Sequence, residues 1–174
     1  MVEFDDLKVS FKTAEEAKKE KIESAGIQKI EYSNTEGIYI AERLFATTAN
    51  VFTGKFSNSK KKGWFYIIYE KNVKVGVIFE EGSSKPNAGN TSTVVKLGSA
   101  SYFFGKAKSD NLVFGFFKSA GKSLAIGTDS LIRKMSKEAF SDCPKLIEII
   151  DKEDFKADTV IDQLTIIFEK IKCK

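Results

Sequence analysis

The sequence predicts an α+β chain: seven to ten mostly antiparallel strands in a meander, a sandwich or partly open barrel, followed by two or three C-terminal helices packed on the sheet. Three observations carry this. Residues 51–127 hold 13 of the 21 aromatics and 10 of the 12 glycines, in β-branched and aromatic runs broken by turn residues. The runs follow each other too closely for helical crossovers, which favours antiparallel pairing. After residue 128 the apolar period changes from two to that of a helix.

From the N-terminus, Leu7, Val9 and Phe11 alternate as in a strand. Thr13 and Glu16 have capping-box spacing and Gly26 stands where a helix ends, so propensity predicts a short helix over about residues 14–24, with an extended chain, above all over residues 21–24, as the alternative. IQKIEY and IYIAERLFA read as two strands around SNTEG, and FTGKF as a further short one. WFYIIYE and VKVGVIFE, separated by Lys71 and Asn72, form the clearest hairpin. EGSSKPNAGNTS reads as a long polar loop, and TVVKL, SYFFGKA, NLVFGFF and SLAIG as closely spaced strands. Val73, Val75, Val77 and Phe79 share one face; Leu112, Phe114 and Phe116 are expected on one side of their strand, with Val113 and Phe117 on the other. Strands apolar on both faces imply a covering layer on each.

Thr128 or Asp129 is the expected cap of a helix whose Ile132, Met135, Ala139, Phe140 and Cys143 form one stripe. Pro144 suits the first turn of the next helix. Val160, Leu164, Ile167, Phe168 and Ile171 line one face of the last, with Asp158 as its expected cap. At 174 residues the chain is expected to be a single domain, residues 1–127 mainly β and 128–174 a helical hairpin packed on it.

Charge is unevenly placed. Residues 51–127 carry twelve lysines, no arginine and four acids, against an overall net charge of +4. A lysine block without arginine argues against nucleic acid as a partner and fits strand-edge protection; an acidic partner or a membrane surface is the alternative. No apolar run is long enough for a transmembrane helix. Histidine is absent, which removes imidazole catalysis and histidine metal sites; no metal or cofactor is expected and the chain is read as not an enzyme.

AGKS at residues 120–123 echoes a phosphate-binding loop, but Gly115 lies six residues before Gly121 where five are needed, so a turn is expected. Asp151, Glu153, Asp154 and Asp158 lack the alternation of a calcium loop. Asn90, Thr91 and Ser92 match a glycosylation sequon, a frequent chance match. Lys60, Lys61 and Lys62 beside Trp64, Tyr66 and Tyr69 form a candidate aromatic–basic binding surface; the ordinary alternative is core aromatics behind a solvated turn. Cys143 and Cys173 flank the helical hairpin. They are expected to pair, because a cross-link near the terminus suppresses fraying; two buried thiols are the alternative.

The early strands KVSFKT and IQKIEYS, the hairpin WFYIIYEKNVKVGVIF and, above all, the closing AFSDCPKLIEIIDKEDFKADTVIDQL with its final Cys resemble a loose group of uncharacterised exported β-rich proteins of Gram-negative bacteria. The resemblance centres on residues 139–173. It implies a mature exported protein whose signal peptide is absent from this chain, extended structure over residues 21–33, and Cys143 and Cys173 as a pair. It supplies no active site, and this chain ends KIKCK where the group has an aromatic–Asn pair. The function expected is therefore a non-catalytic interaction module, periplasmic, envelope-associated or secreted, with a protein or envelope component as partner and a cytoplasmic setting as the alternative location. A carrier of an apolar small ligand, held between sheet and helices, is the alternative.

Overall fold

A computed structural model describes residues 2–4, 7–14, 16–34, 37–50, 53, 55–80, 83–86, 93–96, 98–119, 127–156 and 158–172. Among them twelve strands precede three helices. The strands are β1 (Val2–Phe4), β2 (Lys8–Phe11), β3 (Glu20–Glu23), β4 (Lys29–Asn34), β5 (Gly37–Ala49), β6 (Phe56–Asn58), β7 (Gly63–Glu70), β8 (Val73–Glu80), β9 (Ser83–Pro86), β10 (Thr93–Lys96), β11 (Ser99–Lys106) and β12 (Asn111–Ser119). The helices are α1 (Thr128–Ala139), α2 (Pro144–Lys152) and α3 (Val160–Lys170). This is the mixed α+β arrangement the sequence predicts.

The main sheet runs β4-β5-β7-β8-β11-β12, and β12 returns to pair with β5. The strands β5, β7, β8, β11 and β12 thus form a closed ring. Each of the four steps from β5 to β12 is antiparallel. Four reversals restore the starting direction, so closure has to be parallel, and Asn111, Leu112 and Val113 pair in parallel with Phe45, Ala46 and Thr47. A parallel pair therefore arises here without a helical crossover. At this seam the Asn111 amide donates to Thr47 Oγ1 at 2.9 Å, and Thr47 Oγ1 donates to Asn58 Oδ1 at 2.6 Å.

Leu44, Phe65, Phe103 and Leu112 fill the ring, with Ala46, Ile67, Ile78 and Phe114 against them. Leu112 fits because glycines face it: a Cβ on Gly76 would lie 2.6 Å from its Cδ1, and one on Gly105 2.8 Å from its Cδ2 and 2.8 Å from the Asn111 carbonyl oxygen. The outer face of β8, β11 and β12 packs on the helices. Phe104, Phe116, Ile132, Met135, Phe140, Leu146, Ile150, Leu164 and Phe168 are all fully buried there.

A register shift between Tyr102 and Phe103 places an extra residue in β12, where Tyr102 pairs with Phe116 and Phe103 with Phe114. This bulge turns Phe116 to the helix side with Val113, away from Leu112 and Phe114, and corrects the predicted face. The helix expected near residues 14–24 is also corrected. Residues 20–23 are strand β3, followed by a single 3-10 turn (Ser24–Gly26), so the segment is extended as the resemblance implied. A helix there has too thin an apolar face to bury, whereas β3 gains backbone bonds to β2 from Lys8↔Glu23 to Phe11↔Glu20. The polar loop expected over residues 81–92 contains a strand as well, since β9 pairs with β10. Residues 120–126, with the AGKS segment and most of SLAIG, and residues 87–92, with the sequon, lie outside the described residues.

Gly127, at φ 88°, is the N-cap residue of α1, and Thr159 that of α3; neither helix start has a side-chain cap, which corrects the capping roles expected of Thr128 or Asp129 and of Asp158. Pro144 occupies the first turn of α2 as expected. The cross-link expected between Cys143 and Cys173 falls on Cys173, which lies outside the described residues, and no disulfide joins two described residues. Cys143 is buried at the start of α2.

Candidate functional site

β5 pairs with β7 at Ala41, Glu42, Arg43 and Leu44, and with β4 along Gly37 to Glu42. β7 in turn has a register shift against β8 between Ile67 and Tyr69, which leaves Ile68 as an extra residue. Where the β4–β5 ribbon and the β7–β8 hairpin part, a groove of about 940 Å³ opens. Its lining is aromatic: Tyr32 from β4, Tyr39 from β5, Trp64 and Tyr66 from β7, Phe79 from β8 and Phe4 from β1.

These rings form one connected set. Tyr32 and Tyr39 are cross-strand partners and stack with centroids 5.2 Å apart. Phe4 sits among Tyr32, Trp64 and Tyr66 at 6.3, 4.9 and 5.7 Å, and Tyr66 reaches Phe79 at 5.6 Å. The Arg43 guanidinium lies 5.9 Å from the centre of the Trp64 ring. It donates to the Ser24 carbonyl at 2.5 Å and the Lys62 carbonyl at 3.3 Å, while Trp64 Nε1 donates to Ser24 Oγ at 3.4 Å. Burial, together with a hydrogen bond to Tyr66, raises the Tyr32 phenol well above its ordinary pKa, so it stays neutral at physiological pH. The groove therefore offers ring faces and the neutral Tyr32 phenol, and its charged lining residue among those described, Glu3, is paired with Lys19.

Its apolar side chains are open to solvent: Ile38 is 72% exposed, Phe79 56% and Ile68 48%. A second groove of about 630 Å³ adjoins it between the β1–β3 sheet and β4, lined by Val9, Phe11, Ile22, Ile27 and Ile30, with Tyr32 shared. Neither lining includes a helix residue.

Beside the groove four charged side chains, one from each of four strands, close a ring. Glu42 accepts from Lys74 at 2.5 Å and lies 3.4 Å from Lys29; Glu70 lies 3.3 Å from each lysine. Lys74 and Glu42 are only 5% and 8% exposed. Burial pushes the Glu70 carboxyl up, but Lys74 and Lys29 outweigh it and hold its pKa below the usual value. Burial likewise pulls Lys29 down, and Glu70 and Glu42 outweigh it. The ring joins the β4–β5 ribbon to β7 and β8.

The predicted aromatic–basic surface is divided. Trp64 and Tyr66 are in the groove. Tyr69, past the register shift, packs on Phe168 of α3 at 6.5 Å. Lys60 and Lys61 project from the β6–β7 loop, and Lys62 pairs with Asp110 at 3.3 Å above the Phe45 ring. Phe4, Tyr32, Tyr39 and Phe79 were missed by sequence reasoning. A usable signal existed for two of them, since Tyr32 and Tyr39 stand at equal distances from the turn and must face each other in a hairpin. Among the described residues no cluster of metal-ligating groups occurs, and no helix is long and apolar enough to cross a membrane. No protein-family model, curated protein or solved structure matches the chain.

Proposed function

We propose that this protein is a non-catalytic binding module of the cell envelope whose working surface is the aromatic groove between the β4–β5 ribbon and the β7–β8 hairpin. The observation that carries the reading is the joining of six rings from five strands into one open groove beside the exposed Ile38, Ile68 and Phe79. Large contiguous apolar surface is costly to leave in water and is retained where a partner covers it. Tyrosine and tryptophan add rigid contact area at low entropic cost, each with a polar handle. The groove suits a partner that presents apolar side chains with hydrogen-bonding groups between them, as a protein or envelope component does. The exported setting rests on the resemblance over residues 139–173.

The test is site-specific photocrosslinking in envelope extracts, with a photoreactive phenylalanine replacing Phe79 or, as control, Lys134 on α1. A discrete adduct from position 79 and none from position 134 is expected. Equal labelling from both positions, or none from 79, overturns the reading. Fractionation of cells carrying the native gene tests the exported setting separately.

A further inference from the structure

The end of the barrel next to the seam carries a second surface, of opposite character to the groove. Two loops meet there over adjacent residues of β5. The β6–β7 loop is held to Ala46 by two hydrogen bonds, Ala46 N to Ser59 Oγ at 2.9 Å and Ser59 N to Ala46 O at 2.7 Å. The β11–β12 loop is held to the preceding residue, Phe45 N donating to Asp110 O at 2.7 Å. The Lys62–Asp110 ion pair, at 3.3 Å, then ties one loop to the other.

Two turns that would otherwise move independently are thereby clamped side by side, and they carry Lys60, Lys61, Lys62 and Lys108 against Asp110 alone. Lys60, Lys61 and Lys108 are exposed and form no ion pair among the described residues. Their neighbour Lys106 is neutralised by Asp142. Elsewhere in residues 51–127, Lys71 and Lys74 are matched by Glu169 and by the Glu42–Glu70 pair. Lys55 and Lys118 of the same segment also form no ion pair among the described residues, so what sets this end apart is that three unmatched lysines stand on two loops clamped side by side.

We propose that this loop pair docks the protein on a membrane surface rich in anionic lipid headgroups. Charge complementarity selects this surface. Lysine ammoniums are hydrated point charges suited to a diffuse negative surface, whereas bidentate capture of single phosphates favours arginine, absent from residues 51–127. The loops carry no aromatic side chain to interleave with bases, as single-stranded nucleic acid binding requires. The inference is independent of the groove's partner.

The experiment is vesicle sedimentation of the full chain with phosphatidylcholine alone or with 30% phosphatidylglycerol, at low and at high salt. Partition into the anionic vesicles only, weakened by salt, is expected. Each lysine near such a surface strengthens partition about fivefold, so K60E/K61E/K108E is expected to weaken it about a hundredfold or more. The helix-borne control K134E/K145E/K170E, with the same change in net charge, is expected to stay within about threefold of wild type. Circular dichroism and thermal melting confirm that both triples fold. The proposal is overturned by equal binding to neutral vesicles, by no binding to anionic vesicles at low salt, by equal losses in the two triples, or by binding to soluble polyphosphate without binding to vesicles.

Discussion

The ring of Lys29, Glu42, Glu70 and Lys74 gives single side chains control over four strands. Glu42 and Lys74 are nearly inaccessible, so removing one leaves the other buried with only its longer contact, Lys29 at 3.4 Å for Glu42 or Glu70 at 3.3 Å for Lys74. Lys74→Met is expected to cost about 3–5 kcal/mol in urea unfolding, the range for breaking a buried pair. Lys74→Met combined with Glu42→Leu is expected to recover part of that loss, because it leaves neither charge alone. A double variant less stable than the sum of the singles would sink this account. The pH dependence follows from the partners' shifts. Glu70 has a lowered pKa in the folded state, so its contribution is present above the unfolded carboxylate value and is lost as pH falls through the folded one. Lys29 has a raised pKa, so its contribution is present below the unfolded lysine value and lost as pH rises through the folded one. Stability is therefore expected to be flat near neutrality, with Glu70→Gln flattening the acid limb of the urea midpoint and leaving the alkaline limb in place.

Elements are joined to each other by a few polar contacts whose loss is local. Asn72, in the β7–β8 turn, donates through Nδ2 to the carbonyls of Phe168 and, at 2.6 Å, Ile171, so a distant loop satisfies the C-terminal end of α3. Asn72→Ala is expected to cost about 1–3 kcal/mol, with faster amide exchange in the last turn of α3 and unchanged exchange in α1. Such links explain which parts of the fold were legible. The strands of the β7–β8 hairpin and the stripes of α1 and α3 were readable because each side chain's direction follows from its own element's period. Phe116 was misassigned because the bulge that turns it depends on register against β11, which no period within β12 encodes. The segment before β4 was misread because capping signals report local propensity, while a strand takes its stability from its neighbour. The candidate surface was split at Tyr69 for the same reason as Phe116. One extra residue at Ile68 sends Tyr69 to the helices while Trp64 and Tyr66 stay in the groove.

At the scale of the whole molecule, two unequal bodies share the aromatic groove. The barrel and helices bury a separate core on each face of β8, β11 and β12. The β1–β3 sheet has a more slender attachment. All four residues of β3 are exposed, and among the described rings Phe4 is the one from this sheet that meets the barrel's aromatics. Segments with few buried contacts open at a fraction of the global free energy. Hydrogen exchange is therefore expected to show β1, β2 and β3 opening well before β8 and β11, which exchange only on global unfolding. Phe4→Ala removes the ring seated among Tyr32, Trp64 and Tyr66. It is expected to speed exchange in β1–β3 further and to increase quenching of Trp64, the chain's single tryptophan, by acrylamide. The thermal midpoint of the barrel is expected to move little, because the core of Leu44, Phe65, Phe103 and Leu112 is untouched. If Phe4→Ala instead lowers the stability of β8 and β11 as much as that of β1–β3, the two bodies unfold together. The groove is then a fixed cleft inside one cooperative unit, and not a boundary whose width the N-terminal sheet can set.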